Sequence, residues 1–333
     1  MKTQKIKKCM SLFLAALMCV TTLFGVGTTA YAAEETDEVC LVSFPRDGDA
    51  NYGGEWGHGS FNFMNGWSSG SSRYTTVRAM GSYDGNICYC IEPGVPQESG
   101  DRFTKKGENF WDNYPSSYNH TISPDDIKLF IGRIFQYGYT GTISTSWRSQ
   151  NEGGDKLAHA VATQLLVWET VVGERDADFN KVGTGGKDAI CDQISTGHPL
   201  YSRIMSYYNS IAASVQTHSK VPSFFAKSTG KAKSIELEWD GEKYTATLTD
   251  TNNVLANYSF SAGVSGIRFS VNGNRLTITA DTAPSDTVTI TAEKKNSQRR
   301  GVITWTDGIY GPNGKLQDIV TYAQSVNDPV KAI

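Results

Sequence analysis

Hydrophobic and polar positions divide the chain into regions of different texture. An apolar run at about 10–26 follows a basic start at Lys2, Lys5, Lys7 and Lys8. Ala30-Tyr31-Ala32 comes next, with small residues at the two positions a signal peptidase reads. That site lies directly after the run, and a long polar chain follows. Both predict a cleaved signal peptide over 1–32 rather than a membrane anchor. From 33 to 220 the pattern is mixed. Residues 51–83 are rich in Gly, Asn, Ser and aromatics, as in short strands joined by long polar loops. Ser123-Pro124-Asp125-Asp126 combines a hydroxyl N-cap, a first-turn proline and acids beside the helix dipole. It predicts a helix to about Tyr137 that stops at Gly138. A second helix is predicted from near Asp155 to Gly173. A third covers about 200–216, where Tyr201, Ile204, Met205, Tyr208 and Ile211 fall at helical spacing.

After Val221-Pro222 the period changes to two. Ile235, Leu237 and Trp239 alternate with polar neighbours, as do Tyr244, Ala246 and Leu248. The same holds for Ile267, Phe269 and Val271, for Leu276, Ile278 and Ala280, and for Val288, Ile290 and Ala292. Turn residues such as Asp240-Gly241 and Asn272-Gly273-Asn274 separate the runs. Short strands at this spacing predict a β-sandwich. The expected fold class is therefore α+β, a mixed strand-and-helix domain at 33–220 followed by an all-β, sandwich-like domain at 221–333.

Charge narrows the partners. Removing residues 1–32 takes four of the 31 basic residues and none of the 34 acidic ones, which leaves a net charge of −7. A mildly acidic chain without basic clusters argues against nucleic acid and anionic lipid. No second apolar span follows the leader, so membrane insertion after processing is not expected. Four cysteines remain, Cys40, Cys88, Cys90 and Cys191. They are too sparse for a disulfide scaffold, and they allow two bridges or one bridge and two thiols. Cys88-x-Cys90 is not the usual Cys-x2–4-Cys spacing, so a zinc site from these residues or His58 is disfavoured and no cofactor is expected.

Two segments carry candidate chemistry. In the second helix, Leu157, Val161, Leu165, Trp168 and Val172 form one buried stripe. Gln164 lies within it, so a primary amide is placed against the core. Left unpaired, it would cost roughly 1–3 kcal/mol. A backbone partner would satisfy it without any further role. Asn86-Ile87-Cys88-Tyr89-Cys90-Ile91-Glu92-Pro93-Gly94 reads as a strand ended by a Pro-Gly turn, with Cys88 and Cys90 on one face. A buried cysteine is usually a small hydrophobe, and neither segment alone is specific.

Together they resemble the paired signature of bacterial thioester domains of Gram-positive surface adhesins. Tyr89-Cys90-Ile91-Glu92-Pro93-Gly94 matches the aromatic-Cys-apolar motif, and Thr163-Gln164-Leu165-Leu166-Val167-Trp168 matches the Thr-Gln motif with its downstream Trp. Gly57-His58-Gly59 and Asn65-Gly66-Trp67 look like upstream family elements. Trp305 and Gln317-Asp318-Ile319-Val320-Thr321-Tyr322 resemble the β-region of clostridial members, so the resemblance extends over most of the mature chain. It implies a secreted, cell-surface module in which Cys90 is the thiol and Gln164 the acyl donor of an internal thioester. Its partner would be an amine, a protein lysine or a polyamine. Bonding would occur once per molecule, so the chain is not expected to be an enzyme. Trp168, one turn from Gln164, is the candidate shield, and His159 the candidate base that keeps an attacking amine neutral. Cys88 has no place in the motif. Relatives continue into stalk domains and a wall anchor, neither visible here. Lys227, Lys231 and Lys233 are candidates for an isopeptide bond, but no spacing singles one out.

Two other classes compete. A cysteine hydrolase or transglutaminase would use Cys90 with His159, but such thiols gain thiolate character at helix N-termini or beside cations, whereas Cys90 is placed in a strand. A non-covalent β-sandwich adhesin would form no adduct and would tolerate loss of Cys90.

Overall fold

The structure is a computed structural model. It describes residues 39–40, 42–44, 62–63, 73–74, 79–81, 86–93, 102–113, 122–142, 153–183, 189–193, 196, 200–306 and 318–333. The leader, Gly57-His58-Gly59, Asn65-Gly66-Trp67, Gln317 and the Cys40 side chain lie outside the described residues. The chain divides between Asp37 and Glu38, and all that follows belongs to Glu38–Ile333.

Helix α1 is Pro124–Tyr137, α2 is Gly153–Val171 and α3 is Tyr201–His218. The ends of α1 follow from local chemistry. Ser123 Oγ accepts from the Asp126 N–H at 3.2 Å, and the Gly138 N–H closes the last turn on Ile134 O. Helix α2 packs against α1, α3 and strand Ile87–Cys90. Over 157–171 every side chain except His159 is buried, so the stripe read from the sequence is only part of its covered surface.

A seven-stranded antiparallel sheet supports the helices. Its order is Val39–Cys40, Arg102–Lys106, Gln298–Thr306, Ile319–Asn327, Ile87–Cys90, Ala79–Gly81, Val42–Phe44. All four residues of Ile87–Cys90 are buried, because both faces are covered. Two smaller sheets follow. One orders Ile267–Asn272, Arg275–Ala280, Tyr244–Thr249 and Glu238–Trp239; the other orders Tyr258–Ala262, Ile290–Lys294 and Lys331–Ala332. Leu276 and Ile278 of the first meet Phe260 and Ile290 of the second around Leu255, a small sandwich. The fold is α+β.

The expected boundary at 220/221 does not coincide with the division between sheets. Strands Gln298–Thr306 and Ile319–Asn327 leave the sandwich and enter the large sheet between Arg102–Lys106 and Ile87–Cys90. Helix α1 lies on the first of them at Gly132, where a Cβ would come within 2.6 Å of Arg300 O. A buried ionic cluster fastens the return. Arg133 binds Asp328 through Nε at 2.7 Å and Nη2 at 3.0 Å. His218 Nε2 lies 2.8 Å from the same carboxylate, and its Nδ1 lies 2.8 Å from the Tyr137 hydroxyl. Burial alone would raise the Asp328 pKa. His218 and Arg133 outweigh it and hold the carboxyl well below the usual range.

Asp328→Ala leaves Arg133 buried without its carboxylate and should cost about 3–5 kcal/mol in a denaturation experiment. Because the folded pKa is depressed, the wild-type contribution is present above an unfolded value near ~3.9. It should fade as pH falls below that value, and the variant should lack this acid sensitivity.

Candidate functional site

Cys90 ends its strand in an unusual position. On one side Ile319 and Val320 pair with Cys90 and Tyr89. The Ile91 N–H donates to Asp318 O at 3.1 Å. In an antiparallel ladder the bonding direction alternates, so the Cys90 N–H and C=O point to the opposite side. There, among the described residues, the neighbouring strand pairs as far as Met80 with Cys88. The Gln164 carboxamide occupies the next position. The Cys90 N–H donates to Gln164 Oε1 at 2.8 Å, and Gln164 Nε2 donates to Cys90 O at 2.8 Å. A side chain of α2 thus makes the pair of hydrogen bonds that one residue of a neighbouring strand would make. Cys90 is 2 % and Gln164 3 % exposed.

The thiol has its own surroundings. The Glu92 N–H donates to Cys90 Sγ at 3.3 Å, and the Trp168 indole lies close enough to the sulfur to favour its thiolate. Burial is the largest influence, and the carboxylates of Glu92 and Asp318 add to it. Together they push the thiol up to about 12 against the opposing pull of Trp168 and the Glu92 N–H. Glu92 is itself buried, its Oε2 accepting from the Asp318 N–H at 2.6 Å. The turn after Cys90 is therefore held by the start of strand Ile319–Asn327.

Thr163 anchors the other side. Its hydroxyl accepts from the Tyr139 N–H at 2.9 Å and donates to His159 O at 2.8 Å. A Cβ on Gly138 would fall 2.6 Å from that hydroxyl, so the close approach of the chain after α1 requires glycine. The same segment returns to the Cys90 strand, where the Ile87 N–H donates to Gly141 O at 3.3 Å.

The structure thus brings Cys90, Gln164 and Trp168 together. His159 is half-buried in an aromatic setting of its own, stacked on Tyr207 at 4.2 Å with Tyr139 edge-on at 5.7 Å. Burial lowers its pKa, with partial offset from a hydrogen bond at the Tyr137 backbone and from Asp155. Cys88 and Cys191 are buried. Among the described residues no cluster of three or more His, Cys, Asp or Glu could hold a metal, and no helix is long and apolar enough to cross a membrane. Glu92 and Asp318, which face the sulfur, received no role from the sequence. Both stand inside the motifs quoted above, but their meeting depends on strand pairing.

Residues 87–217 match the thioester domain family. The chain carries a thioester domain. The match takes in Cys90, Thr163, Gln164 and Trp168, and is narrower than the resemblance over most of the mature chain. The thioester domain of the Staphylococcus aureus TIE protein is 18 % identical with a TM-score of 0.35, over 85 % of this chain and 92 % of that one. The Bacillus anthracis TIE protein is 13 % identical with a TM-score of 0.34, over 89 % of this chain and 48 % of that one. No curated protein matches.

The Cys90 environment predicts an alkaline signature once the acyl partner is removed. In Gln164→Ala the thiol should stay protonated in the folded state. A raised folded pKa stabilises below the unfolded value of ~8.5, and that contribution is lost as pH rises through about 12. The stability of Gln164→Ala should therefore decline with pH across this window, relative to the Cys90→Ala/Gln164→Ala double variant measured alongside it. Parallel stability curves would contradict the assignment.

Proposed function

We propose that Cys90 and Gln164 form an internal thioester. The exported module, displayed at a bacterial surface, would use it once to bond covalently to an amine, most simply a lysine of a host or neighbouring protein. The observation that supports this most is the pair of reciprocal hydrogen bonds between the Gln164 carboxamide and the Cys90 peptide group. They hold the acyl group against the residue that bears the thiol. The Cys90 N–H on Oε1 also polarises the carbonyl to be attacked, the role of an oxyanion donor.

The chemistry balances without a cofactor. The thiol sulfur adds to the Gln164 side-chain carbonyl, its proton passes to the carboxamide nitrogen, and ammonia leaves. A neutral thiol suits this step, since the proton it carries is the one the departing nitrogen needs. Held geometry replaces chemical activation and is worth up to about 7–11 kcal/mol. Burial among Trp168 and the strand then keeps water from the product. In the second step an amine attacks the acyl carbon, an amide forms and the Cys90 thiol is released. Nothing restores the thioester, so each molecule acts once. A thiol pushed up to about 12 is the opposite of the low-pKa nucleophile of a cysteine hydrolase, which favours bonding over turnover.

Methylamine should add once, at Gln164, and free one thiol at Cys90. Cys88→Ser should react like the wild type, and Cys90→Ala should not react. Incubation with the true target should give a species that survives boiling in detergent and reductant, with a Gln164–Lys crosslink in its peptide map. Methylamine incorporation at Gln164 in Cys90→Ala would show that another species is reactive.

The bond would close a loop of 74 positions. By analogy with a disulfide of that length, its loss should cost roughly 4–5 kcal/mol, less any strain. Cys90→Ala should therefore melt at lower temperature yet remain folded; an unfolded variant would make Cys90 a structural residue instead.

A further inference from the structure

A second cluster of buried polar groups lies at the C-terminal end of α2, away from the thioester pair. Glu169 is fully buried. Arg175 reaches it through Nε at 2.8 Å and Nη2 at 2.5 Å, and the Tyr208 hydroxyl donates to its other oxygen at 2.6 Å. Lys181 Nζ lies 3.6 Å from that same oxygen and 5.7 Å from the Tyr208 ring centroid. The Lys181 ammonium also lies 2.5 Å from Cys191 Sγ.

This last separation is short for what it joins. N–H···O hydrogen bonds centre at about 2.9–3.0 Å, and sulfur is larger than oxygen, so an ordinary N–H···S contact is longer still. Each partner is also held by its own backbone. Lys181 lies in a tight hairpin in which Arg175 bridges to it, the Val182 N–H donates to Glu174 O at 3.1 Å, and the Asp176 N–H donates to Asn180 O at 3.0 Å. Cys191 lies in the turn Ile190–Gln193, whose Ile190 N–H is accepted by both Glu174 oxygens at 3.2 Å. The spacing is that of two atoms joined through one intervening atom the size of oxygen. The lysine side chain is 43 % exposed while the cysteine is 7 % exposed, so a small oxidant or a small reductant reaches the pair from the lysine side.

We propose that Lys181 and Cys191 are the site of an oxidative crosslink, an N–O–S bridge formed with dioxygen. An amine, a thiol and one O2 give the bridge and one water. The S–H and one N–H are lost, one oxygen atom is inserted between nitrogen and sulfur, and the other leaves as water. Nitrogen and sulfur each give two electrons, and dioxygen takes the four. Counting from the ammonium–thiolate pair gives the same balance. The bridge would tie the 174–182 hairpin to the turn at 190–193, closing a cover over Glu169 at the end of the helix that carries Gln164. A reducing thiol would open it, so the two covalent features would differ in their response to redox conditions.

The test uses the full mature chain, prepared anaerobically with reductant and then exposed to air. The expected result is a mass gain of one oxygen less two hydrogens, with a peptide map joining Lys181 to Cys191. Dithiothreitol should reverse both changes, without altering whatever mass state Gln164 is in. Lys181→Arg keeps a cation beside Glu169 and should abolish the gain, as should Cys191→Ser. Three results overturn the proposal: an unchanged mass with a reactive Cys191 thiol, one oxygen gained on Cys191 alone without loss of hydrogen, or two hydrogens lost with no oxygen gained.

Discussion

A glutamine side chain standing in for one residue of β-strand is the interaction around which this molecule is organised. Cys90 turns its peptide group away from strand Ile319–Asn327, and the Gln164 carboxamide supplies its donor and acceptor. Neither group could be buried so deeply alone. The same two hydrogen bonds would satisfy an ordinary core glutamine. The difference lies in the partner, because the residue whose backbone satisfies Gln164 also carries a buried thiol. The surrounding elements serve that meeting. Thr163 and Gly138 fix the approach of α1 to α2, while Glu92 and Asp318 fix the turn after Cys90.

Electrostatics and topology act together at the sulfur. Burial and two carboxylates keep Cys90 protonated, while the Trp168 indole and the Glu92 N–H face the sulfur. One of those carboxylates, Asp318, comes from the far end of the chain, 226 positions from Glu92. The thiol's surroundings are therefore completed by strand Ile319–Asn327, outside the stretch that matches the family. The Arg133–Asp328–His218 cluster lies just beyond that strand and fastens it to α1 and α3. It links the stability of the C-terminal return to the geometry around Cys90.

What could be read in the sequence was what is locally encoded. Ser123, Pro124 and Gly138 specify where α1 starts and stops, and the structure follows them. Strands such as Tyr244–Thr249 and Ile267–Asn272 follow from strict alternation. The texture change at Val221 does not mark the end of the large sheet. Gln298–Thr306 and Ile319–Asn327 return to pair with strands two hundred positions earlier, and nothing in their local pattern names those partners. At the site, Cys90, Gln164 and Trp168 were singled out by the resemblance of their two segments to the paired family motif. Glu92 and Asp318 were not, since their proximity to the sulfur is a consequence of that return. The tight Lys181–Cys191 contact escaped for a similar reason: a lysine and a cysteine ten positions apart have no periodicity that pairs them.

The central claim is that the Cys90 sulfur is bonded to the side-chain carbon of Gln164. The intact mass of freshly purified, folded mature chain tests it most directly. The account predicts a mass lower than the sequence by one ammonia in the wild type, with the full sequence mass restored in both Cys90→Ala and Gln164→Ala. A wild-type chain at its full sequence mass, with glutamine rather than glutamate at position 164, would contradict it.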